Sequence, residues 1–178
     1  MNDSRLPTLV YLLMLTMGLL HWAHVYPQLP ATMASHFSAH GVANGRAPKS
    51  AFFGGMAFCV CFSAFVGFFV PRQISGTPAS RLNLPNKDYW LAPEHREGTW
   101  RFIRAQMVWF ACALLFVFLF GTSQAINANL PSVGHFDSEA MLAVMLAFGL
   151  FCVLWIALFL RHFYTLPASV NRSRPEST

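Results

Sequence analysis

"MLAVMLAFGLFCVLWIALFL", residues 141–160, holds no Asp, Glu, Lys or Arg. A helix needs about 20 mostly apolar residues to cross the hydrocarbon core of a bilayer. This run meets that length with nothing to pull it into water. Three other stretches read the same way: "LPTLVYLLMLTMGLLHWAHVY" at about 6–26, "AFFGGMAFCVCFSAFVGFFV" at about 51–70, and a run at about 105–125 containing "MVWFACALLFVFLFG". None carries Asp, Glu, Lys or Arg. The pattern predicts an all-α integral membrane four-helix bundle.

Composition agrees. The 178 residues are 55% hydrophobic and 11% charged, whereas soluble domains carry about 25% charged residues. The 18 phenylalanines suit lipid-facing and bundle-packing helices. The net charge of +5 is therefore to be read against topology rather than nucleic acid, and no nucleic-acid partner is expected. Cys59, Cys61, Cys112 and Cys152 all fall inside apolar runs and read as small packing residues. The chain divides into a single transmembrane domain, residues 1–165, and a polar, proline-containing tail, 166–178, expected to be disordered.

Lys and Arg set orientation. Ten of the 12 lie at three sites: Arg5 in the N-terminal tail; Arg72, Arg81, Lys87, Arg96, Arg101 and Arg104 in the second loop; Arg161, Arg172 and Arg174 at the C-terminal end. The first loop has Arg46 and Lys49, the third none. This bias predicts both termini and the longer second loop in the cytoplasm and the first and third loops outside. The first apolar run is followed only distantly by "TMA" (32–34), a weak cleavage signature lying beyond two prolines, so it reads as an uncleaved anchor.

Between the first two spans lies "SHFSAHG", 35–41. His36 and His40 would share one face if this were a helix, as would His21 and His24 upstream. Imidazoles suit zinc, copper or nickel, so His21, His24, His36 and His40 are the metal candidates. No carboxylate or cysteine accompanies them in that loop, and the favoured reading has no metal and no other cofactor. In the second loop, Pro93 suits the first turn of a helix and Glu94 and Glu97 its N-terminus, so the third helix should begin near Pro93 and enter the membrane unbroken. Tyr89, Trp90 and Trp100 suit the headgroup level. Asn86, Lys87 and Asp88 read either as a turn or as a ligand contact. In the third loop, Pro131 and Gly134 read as turn residues, and Ser138 followed by Glu139 as a helix start.

Two stretches carry a family resemblance. Residues 26–53, with Leu29-Pro30, His36-Phe37, Gly41, Asn44 and Lys49, resemble the signature of the bacterial membrane family known as domain of unknown function 1648. Residues 83–100, with Asn83, Pro85, Asn86, Lys87, Tyr89, Trp90 and Pro93, resemble a second segment seen in such proteins. The resemblance implies similarity to the N-terminal domain of SdpI-type immunity proteins, which protect bacteria from a secreted peptide toxin and signal to a repressor. The chain departs from that type at Ala34, where a second proline is common, and in having no room for the additional helices. The resemblance singles out His36 and leaves out His21, His24 and His40. It makes His36, Phe37, Gly41, Asn44, Lys49, Asn83, Asn86, Lys87, Tyr89 and Trp90 candidate ligand- or partner-binding residues, to which the ligand-contact reading above adds Asp88.

The helix interiors lack the ionisable residues that mark ion pathways, and no nucleophile–base motif is recognisable. No catalytic residue is assigned, and the chain is not read as an enzyme. The expected role is binding or sensing of a peptide or envelope component from the bacterial cytoplasmic membrane. The alternatives are an accessory subunit of a membrane complex, an oligomeric transporter, and, least favoured, an enzyme at headgroup level.

Overall fold

The computed structural model describes residues 4–166; most of the tail set apart above lies outside them. Four helical segments are long and apolar enough to cross a membrane: Arg5–Gln28, Lys49–Ser75, Pro93–Asn129 and Ser138–Tyr164. Helix α1 is Arg5–Val25, extended by a 3₁₀ turn, Tyr26–Gln28. Strands β1 (Thr32–Phe37) and β2 (Ala43–Pro48) follow, then α2 (Lys49–Ala64) and, after a five-residue π turn at Phe65–Phe69, α3 (Val70–Ser75). The short α4 (Lys87–Trp90) precedes α5 (Pro93–Asn129) and α6 (Ser138–Tyr164).

Each helix outruns its apolar run. The second span continues past Pro71, where the apolar stretch ends at Val70. Proline cannot donate to the carbonyl four residues back, and its ring clashes with it. The π turn absorbs this, with the Val70 N–H reaching back five residues to Phe65 O. Inside that turn Gly67 lies against α5 so closely that a Cβ there would stand 2.6 Å from the Ala111 Cβ. Helix α5 starts at Pro93, as its proline and Glu94 predict, and its 37 residues span about 55 Å at 1.5 Å per residue, well beyond a hydrocarbon core of about 30 Å. The cap of α6 is Asp137, one residue before the expected serine: its carboxylate accepts from the Ala140 N–H at 2.9 Å.

The helices are not equivalent. Helix α5 is the hub on which α1, α2–α3 and α6 pack. One cluster, built on Tyr11, Met33, Ala111, Leu115 and Ile126, joins α1, the strands, α2 and α5. A second, on Trp100, Ile103 and Phe163, joins the start of α5 to the end of α6. Trp100, expected at the headgroup level, is thus buried at 7% exposure. The most hydrophobic span, α6, has none of its apolar window buried, against 33% for α5. It can be that bare only because lipid is as apolar as leucine.

The expectation of an all-α chain needs correction. The fold is mostly helical, but residues 32–48 form an antiparallel β-hairpin with Thr32 opposite Pro48, Met33 opposite Ala47 and Ala34 opposite Arg46, and with irregular register around His36. Gly41, at φ 74°, makes the turn, and the Ser38 hydroxyl accepts from the His40 and Val42 N–H groups. His36 therefore lies on a strand and His40 in a turn, so the shared helical face proposed for them does not exist.

Candidate functional site

The hairpin is locked by three contacts, one from the residue that follows it and two from distant parts of the chain. Lys49 opens α2, a helix end where a cation is unfavourable by itself. Its ammonium instead donates to Tyr26 O at 2.9 Å and Leu29 O at 3.0 Å, and lies 4.4 Å from the centre of the Tyr26 ring. The charge thus sits against carbonyls at the end of the first span, where the helix dipole favours it. From the end of α5, Asn129 donates through Nδ2 to Ala34 O at 2.9 Å and accepts through Oδ1 from Ala34 N–H at 2.8 Å. One side-chain amide thereby occupies the place of a third strand and closes the β1 edge. The β2 edge carries Pro48, which has no N–H to offer a partner strand. Third, the Phe37 ring stacks on Phe136 at 4.3 Å, while Gly41 approaches Phe136 O so closely that a Cβ would stand 2.7 Å away. Next to these, the Asp137 N–H donates to Gln124 Oε1 at 3.3 Å.

Beneath the hairpin, α2, α5 and α6 leave an open groove of about 410 Å³, lined by Ser35, His36 and Phe37 of the hairpin and by the buried Thr122 of α5, among others. His36 is exposed and packs against Gly45, where a Cβ would meet the His36 Cβ at 2.9 Å. Asn44 is exposed on β2. Among the described residues no three His, Cys, Asp or Glu side chains are grouped so that they could hold a metal ion, so the four histidines first considered for metal are not assembled.

The other end of the molecule gathers the second set of candidates. Asn86 takes a left-handed conformation, φ 50°, and its Nδ2 donates to Phe163 O at 3.0 Å and Tyr164 O at 3.2 Å. Trp90 Nε1 donates to the same Phe163 O at 3.0 Å. The last carbonyls of a helix have no partner within it, so these two side chains cap α6 from a segment 73 to 78 residues away in sequence. Around them, His162 stacks on Phe102 at 3.9 Å and faces Trp90 at 4.8 Å, and Tyr89 faces His95 at 4.2 Å. Lys87 and Asp88 line a separate cleft of about 430 Å³ with Ser80 and Leu91, and Asn83 is exposed in the loop before it.

Several contributors were not singled out in the sequence. Asn129, Gln124 and Phe136 act through tertiary contacts. So does the interhelical lock in which the Ser63 hydroxyl donates to Val60 O at 2.7 Å and Tyr11 OH meets Ser63 Oγ at 2.8 Å. Tyr11 is 2% exposed and Ser63 0%, so in an apolar medium each supplies the other's missing partner.

No curated protein and no solved structure matches the chain. A family model does: residues 13–73 match the domain of unknown function DUF1648. The match takes in most of α1, the whole hairpin, α2 and the π turn, and so contains the Lys49 clamp and one wall of the groove, while the segment 83–100 lies beyond it. The chain is a multi-pass membrane protein by its four candidate spans, and at residues 13–73 it carries a DUF1648 domain.

Proposed function

We propose that this is a binding or sensing module of the bacterial cytoplasmic membrane, with both termini inside and the hairpin outside, recognising a peptide or envelope component in the manner of the SdpI-type immunity proteins it resembles. The observation that carries the reading is the hairpin itself. It is clamped by Lys49, Asn129 and Phe136, yet it leaves Ser35, His36 and Phe37 over an open groove. Rigid support beneath an exposed His36 and half-buried neighbours is what a recognition site needs, because little order is then lost on binding. In this reading His36, Phe37 and Asn44 contact the ligand, Gly41 and Lys49 shape the loop, and the segment with Asn83, Asn86, Lys87, Asp88, Tyr89 and Trp90 meets a cytoplasmic partner through the Lys87–Asp88 cleft.

The test is a deletion strain challenged with a panel of secreted peptide toxins and envelope stresses, complemented by wild type or by His36→Ala/Phe37→Ala. Sensitivity restored by wild type and not by the variant supports the reading; sensitivity unchanged across the panel overturns it. Orientation has its own test. A cysteine at Ala39 should react with an impermeant maleimide in intact cells and one at Ser80 should not; the reverse overturns the topology.

A second reading is favoured by α6. A span with no buried window has room for a neighbouring membrane protein, as an accessory subunit or the protomer of an oligomeric transporter would. Purification in mild detergent as a monomer without a companion counts against it.

A further inference from the structure

The groove under the hairpin collects sulfur. Of the 8 methionines and 4 cysteines in the chain, Met56, Cys59, Met141 and Met145 all line it. They come as two helical pairs. Met56 and Cys59 are three apart on α2, and Met141 and Met145 four apart on α6; both spacings place two side chains on one face. Between the pairs α5 offers Gly121, whose missing side chain lets Met141 lie across it: a Cβ there would stand 3.5 Å from the Met141 Cε and 4.0 Å from its Sδ. His36, which is exposed, lines the same groove.

Thioethers are soft donors suited to monovalent copper and its analogue silver, whereas zinc takes thiolate, imidazole or carboxylate, and calcium and magnesium take oxygen. No Asp or Glu lines this groove. Charge points the same way. Cys59 must lose its proton to solvent to bind a metal, and a thiolate with a monovalent cation sums to zero. A divalent ion on the same donors would leave a net charge in apolar surroundings, which is costly. We propose that the groove is a binding site for a soft monovalent cation, Cu(I) or Ag(I), held by Met56, Cys59, Met141 and Met145 with His36 in the same lining. The site shares its groove with the proposed recognition surface, but copper retention tests it whether or not that reading holds.

The experiment uses the full chain in detergent with Cys61, Cys112 and Cys152 replaced by alanine, so that Cys59 is the single thiol. The protein is loaded with Cu(I) and titrated with a chromophoric Cu(I) chelator. The expected result is one copper per chain, with affinity falling at least tenfold in Cys59→Ser and in Met56→Leu/Met141→Leu/Met145→Leu, whose leucines conserve volume. Absence of retained copper overturns the site, as does a triple variant that binds as tightly as its parent, because a lone thiol would then explain the binding. If the triple variant loses its helical circular dichroism, Met145→Leu alone, at the exposed rim, decides: at least threefold weakening supports the site and unchanged affinity overturns it.

Discussion

The two ends of this molecule meet the same problem with different chemistry. Each has a spanning segment whose last carbonyls lack partners within it. At the hairpin end the partner is a charge, the Lys49 ammonium on Tyr26 O and Leu29 O. At the other end the partners are neutral, the Asn86 amide and the Trp90 indole on Phe163 O. The charged clamp joins segments about 20 residues apart, and so organises one helix–hairpin–helix unit. The neutral clamp reaches across 73 or more residues and ties the last helix to the loop before α5. Residues marked by their resemblance to a family thus include several whose polar atoms are spent on holding the fold, while His36, Lys87 and Asp88 face open grooves.

Substitutions can break this comparison in order of size. The largest effect is expected at the link between hairpin and hub. Asn129→Leu leaves the N–H and C=O of the buried Ala34 unpaired, which should cost about 3 kcal/mol and lower the thermal unfolding midpoint in detergent more than any substitution below. Lys49→Met removes two charge-assisted bonds and a cation–π contact, for about 2 kcal/mol. Lys49→Arg should recover part of that, and full stability in Lys49→Met would show that the clamp is idle. At the other end, Asn86→Gly keeps the left-handed backbone and deletes only the amide, for about 1 kcal/mol. Because Trp90 still serves Phe163 O, the double variant Asn86→Gly/Trp90→Phe should lose more than the sum of the singles; strict additivity would mean the two donors do not share that carbonyl. Smallest is His36→Ala, expected to shift the midpoint by less than about 0.5 kcal/mol equivalent, since the side chain is exposed. A large loss there would recast His36 as part of the clamp.

Legibility followed the range of the interaction. The start of α5 was readable because Pro93 and Glu94 act within one turn. The hairpin was not, although Gly41 and the Asn44-Gly45 pair are turn residues, because the i, i+4 histidines suggested a helix and two irregular six-residue strands have little alternation to announce them. The continuation of the second span past Pro71 was hidden because a proline is ordinarily a stop, and only contact with α5 makes the π turn worth forming. The His36/His40 spacing misleads: on a strand and a turn, residues four apart do not share the face they would share on a helix.

What the sequence determined by itself is the solvent. Four long uncharged apolar runs cannot remain in water, and backbone groups in lipid must be satisfied within each segment, so membrane class and helix number follow from composition and length alone. What only the tertiary structure decided is how the ends are finished: an amide pairing with a backbone 95 residues away, an indole on the end of the last helix, and three methionines and a cysteine lining one groove. These depend on which helix lies beside which, and hydrocarbon is so uniform a solvent that no local pattern records it.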